Sequence, residues 1–462
     1  MEKWADKELK TIDMGDKRLN ERCRRLLECF AEDPVASIPA ACRGWAETLA
    51  AYRFFSNEKV GEAKILAAHR DATLLRMAAL PVALVAQDTT ELDFSAQPNT
   101  QGLGPLNSET RVGMFAHPSL AISPDGRCLG TLAATIWARE ALRDKRAYKK
   151  LPLEQKESAR WLEGYALASE AAAELPETRV VSVSDREADI YELFLAPAQR
   201  RREGKACADW IVRAHQNRRL ETDDSEVVCL RKRLAAAPIL GVRHLDLSRT
   251  PKRSPRAALV TVRAVEGLAP RAPYRPGATL EPARINAVWL RETDAPAGTE
   301  PLDWLLLTSL PTAQLDDALR VADYYCCRWQ IEVFFRVLKS GCRIEQLQLE
   351  KAERLRRCIA LYLIVAWRVL HVMAQSREHP DSPCTTVFEE AEWKSVWCVT
   401  HQTREAPSDP PTLGEMVKWV ATLGGYLARR SDPPPGPKAL WVGLQRMAHF
   451  AQAWNLFGPE RN

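Results

Sequence analysis

The chain has 462 residues, 46% of them hydrophobic and 27% charged, with a formal net charge of +5. That length predicts two to four domains, and the composition is ordinary for a soluble protein. No run of eighteen apolar residues occurs, and "MEKWADKELK" lacks a signal-peptide core, so neither a membrane span nor export is expected and the cytoplasm is the expected location. The twelve cysteines form no CxxC and sit in apolar contexts such as "ECF" and "RCIALYL", which predicts reduced, buried thiols instead of disulfides or zinc ligands. The charge is uneven. Residues 200–256 hold fifteen Lys/Arg against seven Asp/Glu, peaking at "RKR" (231–233) and "PKRSPR" (251–256). Such a stretch suits a polyanion, although a solvated basic face reads the same way.

In chain order, residues 1–60 read as helical. "GDKRLNERCRRLLECFAEDP" sets Leu19, Leu26, Leu27 and Phe30 against Arg18, Arg22 and Arg25, and "CRGWAETLAAYRFFSNEKV" mixes Trp45, Tyr52 and Phe54 with Arg43 and Arg53. A basic face carrying aromatics suits phosphate contacts, and amphipathic surface helices share the pattern. From about residue 80 the period changes to that of strands. An apolar run over 82–86 stops at Gln87-Asp88, and "GMFAHPSLAISPDGRCLGTLAATIWAR" predicts two strands joined at "SPDG". Residues 154–175 predict a helix. "TRVVSVSDREADIYELF" predicts a strand over 179–184 that stops at Asp185 ahead of a helix, and "DWIVRA" predicts a strand over 209–214. Residues 215–310 are basic, then Pro-rich, with "ALVTVRAV", "INAVWLRE" and "DWLLLTSL" predicting an antiparallel insertion. Helices follow over about 313–340 and 350–376, then two more framed by Pro-rich breaks at 407–411 and 433–437. The last carries Leu440, Leu444, Met447, Ala451 and Trp454 on one stripe.

The segment "YYCCRWQIEVFFRVLKSG" (324–341) places charges in an otherwise apolar helix. At about 100° per residue, Tyr325, Arg328, Glu332, Phe335 and Lys339 share an arc of about 80°, beside a burying face of Ile331, Phe334 and Leu338. One carboxylate flanked by two cations suits a metal-and-phosphate site, with Glu332 on the metal and Arg328 and Lys339 on phosphate oxygens. The same Arg328–Glu332 spacing also reads as a surface ion pair worth about 0.3–0.5 kcal/mol. Asp88 and Asp185 add to the first reading, because each ends an apolar strand and hard cations need several oxygens on rigid elements. Asp185 ahead of "READ" also reads as a helix N-cap.

Tyr325, Arg328, Glu332 and Lys339 match "Y-x2-R-x3-E-x6-K", and on these residues the chain resembles the bacterial cut-and-paste DDE transposases of the IS-four group, which carry a YREK signature. "DTT", "KESARWL", "DREADIY", "IVRA", "WLLLTSLP" and "RWQIEVFFRVLKSG" occur in the family's order, and "AYRFFSN" and "ALWVGLQ" are similar to its end segments. Cys326 and Cys327 are not residues of the signature.

The resemblance implies an α/β fold with an RNase-H-like catalytic core, interrupted by a β insertion and flanked by helical ends. The expected divisions are a DNA-binding domain over 1–65, the core over 66–214 and 311–376, the insertion over 215–310 and a dimerisation domain over 377–462. It implies that Asp88, Asp185 and Glu332 hold two Mg²⁺ ions, with Mn²⁺ substituting, and that Tyr325, Arg328 and Lys339 contact DNA backbone. Trp304 takes the place of a tryptophan that stacks on a flipped base, or else is a core residue of its strand. Trp329 is a second contact for that base, and Arg213 and His215 are either backbone contacts or surface. The implied activity is transposition by a homodimer on double-stranded transposon ends and target DNA, with cleavage through a hairpin. A DNA-binding regulator that no longer cuts, and an RNase-H-like nuclease without strand transfer, are the alternatives.

Overall fold

A computed structural model of the chain describes residues 3–108, 110–140, 151–221, 228–247, 256–274 and 279–458. Its centre is a sheet whose strands are β1 (Val82–Gln87), β2 (Thr90–Asp93), β3 (Gly104–Pro105), β4 (Val112–Ile122), β5 (Cys128–Trp137), β6 (Arg179–Ser184) and β7 (Asp209–Arg213). The long strands run β5-β4-β1-β6-β7, antiparallel from β5 to β1 and parallel from β1 to β7. This is the expected RNase-H-like order. The "SPDG" turn joins β4 to β5 as predicted, with Gly126 at a positive φ of 88° that a side chain would disfavour.

β1 and β6 read as unbroken apolar runs because both faces of the sheet are covered. Leu84, Ala86, Val181, Val183 and Ile211 join one core cluster. Ala83, Val85, Val180, Trp210 and Val212 join the other, together with Trp161 and Tyr165 from the helix Ala159–Glu174.

The insertion does form antiparallel strands, β8 (Gly241–Leu247), β9 (Arg256–Leu268), β10 (Ile285–Glu292) and β11 (Asp303–Thr308). They prolong the same sheet, because β11 pairs with β7 (Leu306↔Arg213, Leu307↔Val212), giving eleven strands in all among the described residues. Several of the basic residues are engaged structurally: Arg202 pairs with Glu281, Arg218 with Asp189, Arg231 with Asp303, Arg243 with Asp323 and Arg256 with Glu292. The rest of "PKRSPR" lies outside the described residues.

The single helix expected over 313–340 is three segments. Leu315–Cys327 is followed by Gln330–Arg336 and a π turn, Val337–Gly341. Between the first two, the amides of Arg328, Trp329, Ile331 and Glu332 donate to carbonyls three residues back, so the chain is overwound there and underwound at the π turn. The angular column therefore does not hold as drawn, and Phe335 is buried in the core.

The helix Ala352–Glu378 is long and apolar enough to cross a bilayer by length and composition. Most of its apolar stretch is buried, against β5, the N-terminal helix Lys17–Glu32 and the last helix Pro437–Phe457. One hydrophobic cluster consequently runs from Leu26 and Phe30 through Tyr362 to Leu440 and Met447. Seven of the twelve cysteines are buried and all are free, whereas Cys326 is exposed. In the first sixty residues Phe54 is buried and Trp45 stands 81% exposed, so the expected aromatic-basic face keeps Trp45 and not Phe54.

The N-terminal segment is pinned by charge as well as by packing. Glu8 accepts two hydrogen bonds from Arg76 and lies 2.5 Å from His69 Nδ1. The Thr131 amide donates to His69 Nε2, which makes His69 neutral with its proton on Nδ1, facing Glu8. Burial opposes ionisation of Glu8, but the His69 Nδ1–H and the Arg76 guanidinium outweigh it and hold the carboxyl below its ordinary 4.5. A carboxyl lowered on folding contributes stability that is complete above about pH 4.5 and is lost as pH falls below it. Glu8→Ala is expected to cost about 3 kcal/mol at neutral pH and to flatten the acid limb of a stability–pH curve from equilibrium unfolding. An unchanged limb would show that Glu8 is not this anchor.

Candidate active site

β1 and β6 pair in parallel up to Ala86↔Val183, so Asp88 and Asp185 each lie two residues past the last paired position. β6 and β7 pair up to Ser184↔Val212, which carries the row on to Arg213. Three neighbouring parallel strands thus end in Asp88, Asp185 and Arg213, at the carboxyl edge where open α/β sheets present ligand-binding groups. Asp88 sits between β1 and β2, and its Oδ1 accepts from the Thr89 amide. Asp185 does cap the short turn Arg186–Ala188, with Oδ1 accepting from the Glu187 amide at 2.7 Å. Its second oxygen has no hydrogen-bond partner among the described residues. The cap and the strand-end reading of this aspartate hold together.

The segmented helix lays its charges over this edge. Arg328 Nη1 donates to Asp88 Oδ2 at 2.8 Å, and its Nη2 is 3.6 Å from Glu332 Oε1. Arg328 is 13% exposed, Asp88 17% and Glu332 38% at the side chain. Burial raises the Asp88 carboxyl above its ordinary value, Arg328 opposing and Glu332 adding to the rise. Burial likewise raises Asp185, with the Asp88 charge adding to it. Arg328 is held above its ordinary value because Asp88, Tyr325 and Asp185 outweigh its desolvation. Tyr325 is buried, which raises its hydroxyl, and the charges of Arg328, Arg213 and Asp185 all act on it.

Trp304, on β11, is part-buried and meets the Tyr325 ring edge-on at 5.7 Å. Trp329 is 53% exposed beside Arg328. Lys339 stands apart from the acids, 3.9 Å from Glu345, whose Oε1 accepts from the Asp93 amide at 3.0 Å. Arg213 makes a long 3.5 Å hydrogen bond to the Asp303 carbonyl. His215 donates its amide to the buried Asp189. Sequence reading missed Glu345 and Asp189. Neither stands out by spacing, since their partners are distant in the chain.

Hard oxygen donors on rigid strand ends suit a Mg²⁺-like cation. Two crowded, desolvated carboxyls are a setting that such a cation relieves. Among the described residues no three Asp, Glu, His or Cys side chains close on one point where an ion would sit. The cation between Asp88 and Glu332 is the Arg328 guanidinium. The donor set fits, and its closure requires that guanidinium to move.

Residues 1–60 match a transposase DNA-binding model, residues 197–368 a transposase DDE domain and residues 364–456 a transposase Tn5 dimerisation domain. The DDE match includes Arg328, Glu332 and Lys339 and begins after Asp88 and Asp185. These matches follow one another as DNA-binding, catalytic and dimerising parts over a sheet of RNase-H-like order, and the chain belongs to the Tn5-like DDE transposases, enzymes that depend on a divalent metal, bind DNA and dimerise.

Proposed function

We propose that this transposase binds the terminal inverted repeats of its element as a homodimer, frees 3′-hydroxyl ends and joins them to target DNA. The observation that carries this reading is the row of Asp88 and Asp185 at one sheet edge with Glu332 reached through Arg328. Asp88, Asp185 and Glu332 would hold two Mg²⁺ ions, with Mn²⁺ able to replace them. When bound, the ions supply positive charge to the attacking and leaving oxygens of a phosphodiester.

The chain's own residues do the rest. With Asp88 and Glu332 turned to a cation, the Arg328 fork would be free to hold a phosphate bidentately. Lys339 and Arg213 add point charge along the backbone, and Tyr325 fixes Arg328 from behind. In the first step water attacks the phosphodiester, breaking one P–O ester bond and leaving a 3′-hydroxyl and a terminal phosphate; in hairpin formation and joining a 3′-hydroxyl attacks, exchanging one P–O ester bond for another. In each the attacking oxygen gives up its proton as it bonds phosphorus, and the departing oxygen takes one up. A hairpin forms when the freed 3′-hydroxyl attacks the opposite strand. Trp329, which is exposed, and Trp304, beside Tyr325, would receive an unstacked base, offsetting part of a cost of about a few kcal/mol. The working divisions are 1–65 and 377–462 for end binding and dimerisation, 66–214 with 311–376 for catalysis, and 215–310 for the insertion, with action in the cytoplasm.

The test is incubation of the full chain with DNA carrying the element's own inverted repeats, Mg²⁺ and a target plasmid. Nicked, hairpinned and joined products on a denaturing gel are expected. Binding without a nick would instead indicate a regulator, and hydrolysis without joined products a nuclease.

A further inference from the structure

Directly behind Asp88 lies a buried polar network that the chemistry above does not use. Gln87, the last residue of β1, is fully buried and donates from Nε2 to Ser182 Oγ on β6 at 2.8 Å. His117 on β4 is 4% exposed and faces both chain neighbours of Asp88. Its Nδ1 lies 2.8 Å from Thr89 Oγ1 and its Nε2 3.4 Å from Gln87 Oε1. An amide oxygen only accepts, so Nε2 carries the proton and Nδ1 accepts from the Thr89 hydroxyl. Burial, with the Arg160 charge adding, pushes His117 down to about 3, so the ring is neutral and this tautomer is fixed at neutral pH.

The helix Ala159–Glu174 closes the network from outside. Trp161 meets the His117 ring edge-on at 4.8 Å. Gly164 lies so close that a Cβ there would sit 2.0 Å from Gln87 Oε1. This is the "KESARWLEGY" stretch, for which the catalytic row leaves no task. The network also coincides with a break in the sheet. β1 pairs with β4 up to Gln87↔Ser119 and β2 resumes at Thr90↔Ala116, so Asp88 and Thr89 fall between ladders, Asp88 opposite Pro118, which has no amide to donate, and Thr89 opposite His117. A carboxylate at an unpaired position wanders unless side chains hold it, and buried polar groups are retained at a cost when they hold something.

We propose that His117, with Gln87, Thr89 and Ser182, is the positioning device of the site: it bridges the break between β1 and β2 and seams β1 to β6, so that Asp88 is held facing Asp185. The proposal rests on Asp88 being a metal-binding acid, and its test separates the two.

The test uses the full chain without DNA, titrated with Mn²⁺ and followed by the electron-paramagnetic signal of the free ion, alongside melting temperature and cleavage of end DNA. Thr89→Val and His117→Phe are expected to weaken Mn²⁺ binding by about tenfold, the scale for residues behind metal ligands. The melting temperature in metal-free buffer is expected to change by only a few degrees. Thr89→Ser, which restores the hydroxyl, is expected to recover most of the affinity lost in Thr89→Val, and extra Mn²⁺ is expected to recover cleavage in both. Should His117→Phe not fold, Thr89→Val carries the test, since it exchanges one hydroxyl for a methyl. Parental affinity in Thr89→Val while Asp88→Asn loses binding overturns the positioning role alone. Parental affinity in Asp88→Asn removes the metal reading, and the proposal with it.

Discussion

Glu332→Ala is expected to lower strand cleavage by at least about a thousandfold while end binding stays within about twofold. Glu332 is the one acid of the three that comes from a helix rather than a strand end, and its carboxylate is more open to solvent than that of Asp88. Its removal therefore disturbs little packing, and the loss falls on the oxygens available to a cation. The segment matched to transposase DNA binding is residues 1–60, far along the chain from this carboxylate. Gel shifts for binding and product analysis for cleavage, on the same end DNA with Mg²⁺, separate the two. Normal cleavage by the variant would falsify the assignment of Glu332.

Arg328→Ala is expected to lose cleavage as well, and to show a second effect that tells why Arg328 sits where it does. Without metal, Arg328 is the cation that balances Asp88, and it also approaches Glu332. Deleting one partner of a fully buried ion pair costs about 3–5 kcal/mol, and with both side chains slightly wetted about 2 kcal/mol is expected here. A divalent cation binding only the folded state returns stability, by about 2.7 kcal/mol at a hundredfold excess over Kd. In the parent the incoming ion must first displace the guanidinium, so its gain is smaller. Melting curves with and without Mg²⁺ are thus expected to show a larger metal-induced rise for Arg328→Ala than for the parent. Equal rises would mean that the guanidinium and the cation do not compete.

The row of Asp88, Asp185 and Arg213 at one sheet edge was legible because its signals are local. Strands β1, β6 and β7 are short apolar runs, and each ends at the residue where the polar chemistry starts, Asp88, Asp185 or Arg213. The "SPDG" hairpin was legible because turn chemistry is written in four adjacent residues. What stayed hidden depends on partners far off in the chain. Nothing in "DWLLLTSL" says that β11 pairs with β7 across about ninety residues and so makes the insertion part of the catalytic sheet. The overwound turn at Arg328 and the π turn at Lys339 are likewise set by what the helix meets, so a uniform 100° wheel put Phe335 among the polar residues when it is buried. Lys339 then reaches Glu345, not the acids above it. His117 in "MFAHPSL" carried no signal of its own in the sequence, because only the fold sets it against both neighbours of Asp88.

The most direct measurement is diffraction from a Mn²⁺-soaked crystal of the DNA complex, with data collected at a wavelength where manganese scatters anomalously. The expected result is density in contact with carboxylate oxygens of Asp88, Asp185 and Glu332 together, with the Arg328 guanidinium withdrawn from Asp88 onto a phosphate. Manganese bound elsewhere, or bound while the Arg328–Asp88 contact persists at its present 2.8 Å, would contradict it.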